Sequence, residues 1–258
     1  MSSIEITAPP PLPVVQRPPR TWYFLGSTIA VLIAYAALNL AHMIVIIAVV
    51  IQHGDPSISP SKLQELAKGG PTTAAGAILA CPLVLAVLWV TIRIARRHFA
   101  EYLALNLPCR AELLRGLAIS LAFLLAWDLL SYLTGHALPA FVIDSYRTAR
   151  DAGLLWLLLV GFCIAAPITE EFTVRGFLFR GWSQSFLGPI GAIVVSSAIW
   201  AIVHFQYDWY FVGEVFGVGL IFGYLRYRSH STWLAVAAHA FFNLAVMAQT
   251  ALFVAYFL

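Results

Sequence analysis

Long apolar runs separated by short polar breaks dominate the pattern of the chain. A helix needs about 20 apolar residues to cross the hydrocarbon core of a bilayer, and several runs are that long. By length and flanking breakers, the pattern predicts seven spans, over roughly residues 22–52, 72–95, 114–134, 153–175, 188–205, 209–226 and 232–257. The sequence therefore predicts an all-α fold, a polytopic integral membrane helical bundle of about seven transmembrane helices.

Composition excludes a soluble protein of this size. The chain has 258 residues, of which 61% are hydrophobic and 10% are charged, too few charges to cover a soluble surface. Cys81, Cys109 and Cys163 lie in or beside apolar segments at no metal-binding spacing, and we interpret them as packing residues rather than disulfides. The bilayer is thus an expected partner, and no nucleic acid is expected.

Three regions divide the chain. Residues 1–20 contain PPPLP and RPPR and are predicted to be a disordered cytoplasmic tail. Residues 21–150 hold the first three spans and their loops, and residues 151–258 hold the other four, on which the candidate chemistry lies.

The distribution of arginine and lysine predicts the orientation. With a cytoplasmic N-terminus, 11 of the 15 basic residues lie on the cytoplasmic side. Arginine outnumbers lysine by 13 to 2, which is typical of GC-rich bacterial genomes. We therefore expect a multi-pass protein of the bacterial cytoplasmic membrane, with its N-terminus in the cytoplasm.

Ionisable residues inside apolar spans are costly and indicate function. Four places qualify: the group Glu170, Glu171 and Arg175, the pair His204 and His239, and the single residues Glu214 and Asp128. We expect Asp128 to hydrogen-bond to a neighbouring helix, and we favour no catalytic role for Glu214. Gly213, Gly217 and Gly219 have the small-residue character of helix-packing positions.

The segment PITEEFTVRGFLFRGW places two adjacent carboxylates in the fourth span. Glu171 and Arg175 are four residues apart and can pair on one helix face. Glu170 is rotated by about 100° from Glu171, so the same arginine leaves it uncompensated. We interpret Glu171 and Arg175 as structural support and Glu170 as the functional carboxylate.

Two further motifs follow on separate helices. WAIVHFQ places His204 at the end of the fifth span, and AAHAFFNL places His239 and Asn243 on one helix face at i and i+4. Each motif is weak alone, and the three in this order are much rarer.

The set EExxxR, aromatic-xxx-H and HxxxN resembles the CAAX protease and bacteriocin-processing (CPBP) family, which includes the CAAX prenyl endopeptidases of the endoplasmic reticulum. RGFLFRG and LRYRSHSTW also resemble bacterial members, and the resemblance covers about residues 150–250. One departure is Trp200, where the family usually has phenylalanine.

The resemblance implies peptide hydrolysis within the membrane. Such a reaction needs an activated water, a base and donors for the developing oxyanion. In this reading Glu170 is the base, His204 helps to orient the water, and His239 and Asn243 donate hydrogen bonds to the oxyanion. The expected substrate is a membrane-associated peptide or protein, prenylated or similar to a leader peptide.

Two alternatives stay open. The first is a metallopeptidase in which Glu170, His204 and His239 hold Zn²⁺, although HExxH is absent and we favour no metal or other cofactor. The second is a non-catalytic protein of the same fold, a bacteriocin immunity factor or a scaffold for another membrane enzyme.

Depth raises a further question. At about 1.5 Å per residue, His204 lies about 24 Å and His239 about 10 Å from the cytoplasmic ends of their spans, but Glu170 lies less than about 10 Å from its own. These three side chains can lie at one depth if the fourth helix continues toward Trp182, if the fifth begins near Phe186, or if the helices tilt. We favour the longer fourth helix.

Overall fold

The computed structural model describes residues 20–53 and 59–257, so the predicted tail, Arg20 apart, lies outside the described residues. In these two ranges the backbone forms ten helices and no strand, which confirms the all-α prediction. They are α1 (Phe24–His53), α2 (Pro60–Lys68), α3 (Gly70–Ile94), α4 (Phe99–Tyr102), α5 (Arg110–Thr134), α6 (Ala140–Asp151), α7 (Leu155–Ser183), α8 (Gly188–Ile202), α9 (Trp209–Ser229) and α10 (Thr232–Phe257).

All seven predicted spans are helical. Among the described residues, five helices are long and apolar enough to cross a membrane by length and composition, namely α1 (over Phe24–Gln52), α3, α5, α7 and α10. The apolar helix α8 has only 15 residues, and the 21 residues of α9 include one glutamate and two arginines. The protein is thus a multi-pass membrane bundle, and the crossing of α8 and α9 stays a prediction.

The length of α7 resolves the question of depth. This helix continues to Ser183, as favoured above, so Glu170 lies 13 residues, or about 20 Å, from that end. The fifth-span helix begins at Gly188 rather than near Phe186. Glu170 is therefore placed near the middle of a continuous helix.

Two π-helical segments interrupt α7 on either side of the glutamates. They are Gly161–Ala165 and Phe172–Leu178. Pro167 follows the first and has no N–H to donate to a carbonyl one turn earlier, which favours a widened turn at that place. Segments of this kind recur at functional sites because they redirect side chains within a helix.

Three short helices, α2, α4 and α6, lie between the predicted spans. Ser59 caps α2 by accepting a hydrogen bond from the backbone N–H of Lys62. Helix α6 packs closely on α3, since a Cβ at Gly70 would meet the carbonyl oxygen of Ser145. These elements are too short or too polar for a span pattern, and tertiary contacts stabilise them.

One apolar cluster joins the two halves of the chain. It unites Ala30 of α1, Val84 of α3 and Tyr102 of α4 with Phe177 of α7 and Val236 of α10. Helix α7 therefore lies between the first helices and the last, and this packing fixes the glutamates relative to both.

Candidate active site

Glu171, Arg175 and His239 form a buried charged group at the centre of the site. Nη1 of Arg175 lies 3.2 Å from Oε1 of Glu171, and Nδ1 of His239 lies 3.0 Å from the same oxygen. The pair Glu171–Arg175 expected from the i,i+4 spacing is therefore present, and both side chains are almost completely enclosed. Since a carboxylate oxygen accepts, Nδ1 of His239 carries the hydrogen and its Nε2 stays available.

Arg175 also ties α7 to α9. Its Nη2 donates to the carbonyl oxygen of Gly219 at 3.0 Å, and its guanidinium carbon lies 4.5 Å from the ring centre of Trp200. A Cβ at Gly219 would lie 3.2 Å from Nη2 of Arg175 and 3.1 Å from Cβ of Ser197. The absent side chain at Gly219 thus lets the three helices approach one another.

Glu170 has different surroundings from its neighbour. It is half-buried, and its Oε2 accepts a hydrogen bond from the indole Nε1 of Trp200 at 2.7 Å. Within the part of the chain that the structure describes, it forms no ion pair. The two adjacent carboxylates are therefore distinct: Glu171 has a cationic partner, and Glu170 has a neutral donor.

His204 lies just beyond the end of α8, against the same tryptophan. Its Nδ1 is 2.6 Å from the carbonyl oxygen of Trp200, so Nδ1 donates and Nε2 is left to accept. The ring stands edge-on to Trp200 at 4.9 Å between centres and lies parallel to Tyr207 at 6.0 Å. These contacts hold the imidazole in one orientation.

Trp200 joins the predicted residues to one another. The ring of His239 lies 5.5 Å from that of Trp200, almost perpendicular to it, and 5.1 Å from that of Phe222. Through Trp200 the structure brings Glu170, His204 and His239 together. Helices α7, α8 and α10 meet at this point.

Asn243 lies one turn from His239 but has another partner. Its Nδ2 donates to the carbonyl oxygen of Phe162 at 2.8 Å, within the first π segment of α7. This bond links α10 to the early part of α7 rather than to Glu170. One N–H of the amide is engaged in it, and the second N–H has no acceptor in the described ranges.

The remaining predictions have mixed outcomes. Asp128 accepts a hydrogen bond from Nε2 of Gln249, which confirms the predicted link to a neighbouring helix. The three cysteines are free, but Cys109 is exposed before α5 and is not a packing residue. A Cβ at Gly217 would lie 2.6 Å from the ring of Phe123, which confirms close packing there.

No three histidine, cysteine, aspartate or glutamate side chains in residues 20–53 and 59–257 form a group that could hold a metal ion. The set Glu170, His204 and His239 meets around the indole of Trp200 instead. The residues as placed do not form a three-ligand zinc site, and no step below depends on a metal.

Sequence reasoning missed the roles of Trp200 and of the π segments. A signal for Trp200 was present, because it replaces the phenylalanine usual in the resembled family and carries an N–H four residues before His204. Its partner Glu170 is 30 residues away on another helix. Pro167 was a weaker signal for a perturbed helix.

The comparison with known families bears on this group of residues. Residues 152–245 match the family model described as type II CAAX prenyl endopeptidase Rce1-like. This part of the chain is similar to the CAAX protease family. The match begins directly after α6 and includes Glu170, His204, His239 and Asn243, which confirms the resemblance drawn from the motifs.

At the level of that family, the match supports an intramembrane protease of the CAAX type, with a peptide or protein as its substrate. No curated protein and no solved structure matches the chain significantly. The family supplies the class of enzyme, and the finer chemistry must come from the residues.

Proposed function

We propose that the protein is an intramembrane endopeptidase in which Glu170 activates the attacking water. The observation that carries this proposal is the unequal pairing of the two glutamates. Arg175 and His239 both engage Glu171 directly, whereas Glu170 forms no ion pair in the described ranges and accepts a hydrogen bond from the neutral indole of Trp200. A half-buried carboxylate outside an ion pair can take a proton from water, as a general base does.

The other residues have roles that fit their available atoms. Nε2 of His204 can accept a hydrogen bond from the water and orient it with Glu170. Nε2 of His239, when protonated, and the second N–H of Asn243 can donate to the oxyanion that forms at the substrate carbonyl. Glu171 orients His239 through Nδ1, and Arg175 holds Glu171.

The substrate is a peptide in extended form, held by a membrane-associated, prenylated or leader-like segment. It enters from the cytoplasmic leaflet of a bacterial membrane, with the N-terminus of the enzyme in the cytoplasm. The excess of arginine on that side supports this orientation.

The alternative chemistry uses Zn²⁺ held by Glu170, His204 and His239. It predicts about one zinc per chain, lost with activity on chelation and restored with it. The metal-free mechanism predicts that exhaustive chelation leaves turnover intact and that metal analysis finds far less than one zinc per chain. If stoichiometric zinc is lost and restored together with activity, the metal-free mechanism is refuted.

Purified protein assayed on a quenched peptide library, beside Glu170→Ala, tests the enzyme itself. Cleavage by the wild type that Glu170→Ala lacks, at equal thermal stability, supports the proposal. Equal cleavage by both points to a contaminating protease and contradicts it. No cleavage of membrane-anchored and soluble peptides alike favours the non-catalytic alternative, an immunity factor or scaffold.

A further inference from the structure

Arg226, near the end of α9, has no partner for its charge among the described residues. Its side chain is 94% enclosed, since 6% of the residue is exposed, and it forms neither a hydrogen bond nor an ion pair within residues 20–53 and 59–257. Its Nε is completely enclosed without an acceptor. The guanidinium carbon lies 5.4 Å from the ring centre of Phe179 in α7.

A second arginine, Arg180, follows Phe179 directly and adds a positive charge that acts on Arg226. Its Nη1 donates to the carbonyl oxygens of Glu101 and Tyr102 at 2.7 and 3.0 Å, and its Nε is enclosed without an acceptor. These carbonyls orient the guanidinium but do not neutralise it.

The neighbouring groups that the structure describes supply no countercharge. Burial raises the pKa of the Tyr102 hydroxyl, so the phenol whose ring centre lies 4.9 Å from the Arg180 guanidinium stays neutral. The Glu101 carboxylate pairs with Nη1 of Arg97 at 3.2 Å. Arg226 lies against Phe179, the residue that precedes Arg180, so the two positive charges are close enough to repel each other, which is unfavourable unless an anion binds to them.

The usual explanation for arginines near helix C-termini does not account for Arg226. Such arginines can bond the last carbonyls of their own helix, but Arg226 forms no bond of this kind. Both arginines lie three residues before the last residue of their helices, about 4.5 Å inside the bundle end. Because α7 is long and apolar enough to span a bilayer, we expect its end to lie at the level of the lipid headgroups. The planar guanidinium matches phosphate oxygens well.

We propose that Arg226 and Arg180 form a binding site for a phosphate group, supplied by an anionic lipid headgroup at this end of the bundle. The site uses none of the residues assigned to hydrolysis, so phosphate binding and peptidase activity can be tested independently. Free inorganic phosphate has the same chemistry, and the experiment separates the two sources.

The test measures thermal stability of the purified full chain in lipid-free detergent. Phosphatidylglycerol is titrated beside phosphatidylcholine, and inorganic phosphate beside chloride at equal ionic strength. Saturating phosphatidylglycerol should raise the Tm of the wild type by on the order of 5 °C. Arg226→Gln should lose most of this rise, and Arg226→Lys, which keeps the charge but not the planar fork, should retain part of it.

Arg228→Gln is the matched control, because Arg228 lies on the same helix and is exposed. It should keep the full rise. Arg226→Gln without lipid should be about as stable as the wild type, since it loses only the contact with the Phe179 ring and no hydrogen bond or ion pair in the described ranges, and its Tm without lipid checks that its loss of response is not a folding defect. If only inorganic phosphate raises the Tm, and Arg226→Gln abolishes this rise, the result would support the site with free phosphate as its occupant.

Three results would overturn the proposal. The first is that neither source of phosphate raises the Tm of the wild type. The second is that Arg226→Gln and Arg228→Gln lose the rise in Tm equally, which would indicate an effect of general surface charge. The third concerns Glu5, which lies outside the described residues. A rise seen only in Glu5→Gln would show that this carboxylate, rather than a phosphate, occupies the arginines.

Discussion

Glu170 and Glu171 are neighbours in α7 with different partners, and isosteric variants should separate their roles. Glu170→Gln keeps the volume and removes the base, so we expect normal folding and a rate lower by about 10²–10⁴-fold. Glu171→Gln leaves Arg175 buried without its carboxylate, so we expect a loss of about 3–5 kcal/mol in the free energy of unfolding. Thermal stability in detergent and initial rates on one cleavable peptide measure both effects.

The double variant Glu171→Gln with Arg175→Gln is the control for this pair. It removes the uncompensated charge and should recover part of the lost stability. A stable but inactive Glu171→Gln, beside a Glu170→Gln of nearly unchanged rate, would show that the base is assigned to the wrong carboxylate.

Trp200 contributes both an indole N–H and an aromatic ring, and two variants distinguish them. Trp200→Phe removes the donor to Glu170 but keeps a ring against Arg175, His204 and His239. Because phenylalanine is usual here in the resembled family, we expect its kcat within about tenfold of wild type, the effect of roughly one hydrogen bond. Trp200→Ala removes the ring and should cost about 3–5 kcal/mol of stability with a larger loss of kcat.

The measurements are kcat, KM and Tm for both variants. If Trp200→Phe is folded and as inactive as Trp200→Ala, then the hydrogen bond to Glu170, and not the packing of the ring, is the essential contribution.

Which contacts were predictable from sequence depends on the distance along the chain. The pair Glu171–Arg175 follows from helix periodicity alone, because both partners lie on one turn. The contacts Trp200–Glu170 and His239–Glu171 join residues 30 and 68 positions apart, and they depend on how separate helices pack. Spacing identified the candidates but could not assign their partners.

Close packing of α9 against α7 and α8 gives a prediction at the scale of the element. In Gly219→Ala, the added Cβ would crowd Ser197, Trp200 and Arg175, so we expect about 1–3 kcal/mol of destabilisation and a lower rate as Arg175 shifts. Thermal unfolding and initial rates measure these effects.

Gly213→Ala on the same helix is the matched control. Its Cβ would lie 3.4 Å from Trp127, an ordinary contact, so stability should be unchanged or slightly higher because alanine favours helix. Equal destabilisation by both substitutions would mean that helix α9 responds to any added methyl group, not to the contact at Gly219.

At the scale of elements, hydropathy located every long helix, and depth indicated that α7 extends beyond the predicted span. The hydropathy pattern could not predict the short helices, since α2 and α6 are amphipathic and α4 is a single turn. The π segments could not be predicted from hydropathy either, because a widened helical turn leaves the amino-acid composition of the helix unchanged.

The charge distribution of the whole molecule predicts its orientation. With 11 of 15 basic residues on one side and seven predicted spans, we expect a cytoplasmic N-terminus and a C-terminus outside. A reporter enzyme that works only outside the cytoplasm should be active when it is fused after Leu258. A cytoplasmic signal would mean that α8 or α9 does not cross, since removing one span reverses the predicted side of Leu258.

The cluster joins Ala30, Val84 and Tyr102 to Phe177 and Val236, so we expect that residues 152–245 do not fold without the first helices. Residues 137–258 produced alone should aggregate or be degraded, although they carry every catalytic candidate. The break at residues 135–139 lies between helices, so residues 1–136 produced as a separate chain should reassemble with them, as helices that insert independently can do. Co-purification of the two fragments, with recovered peptidase activity, would demonstrate complementation. A stable, active 137–258 fragment by itself would show that the first five helices are dispensable for the chemistry.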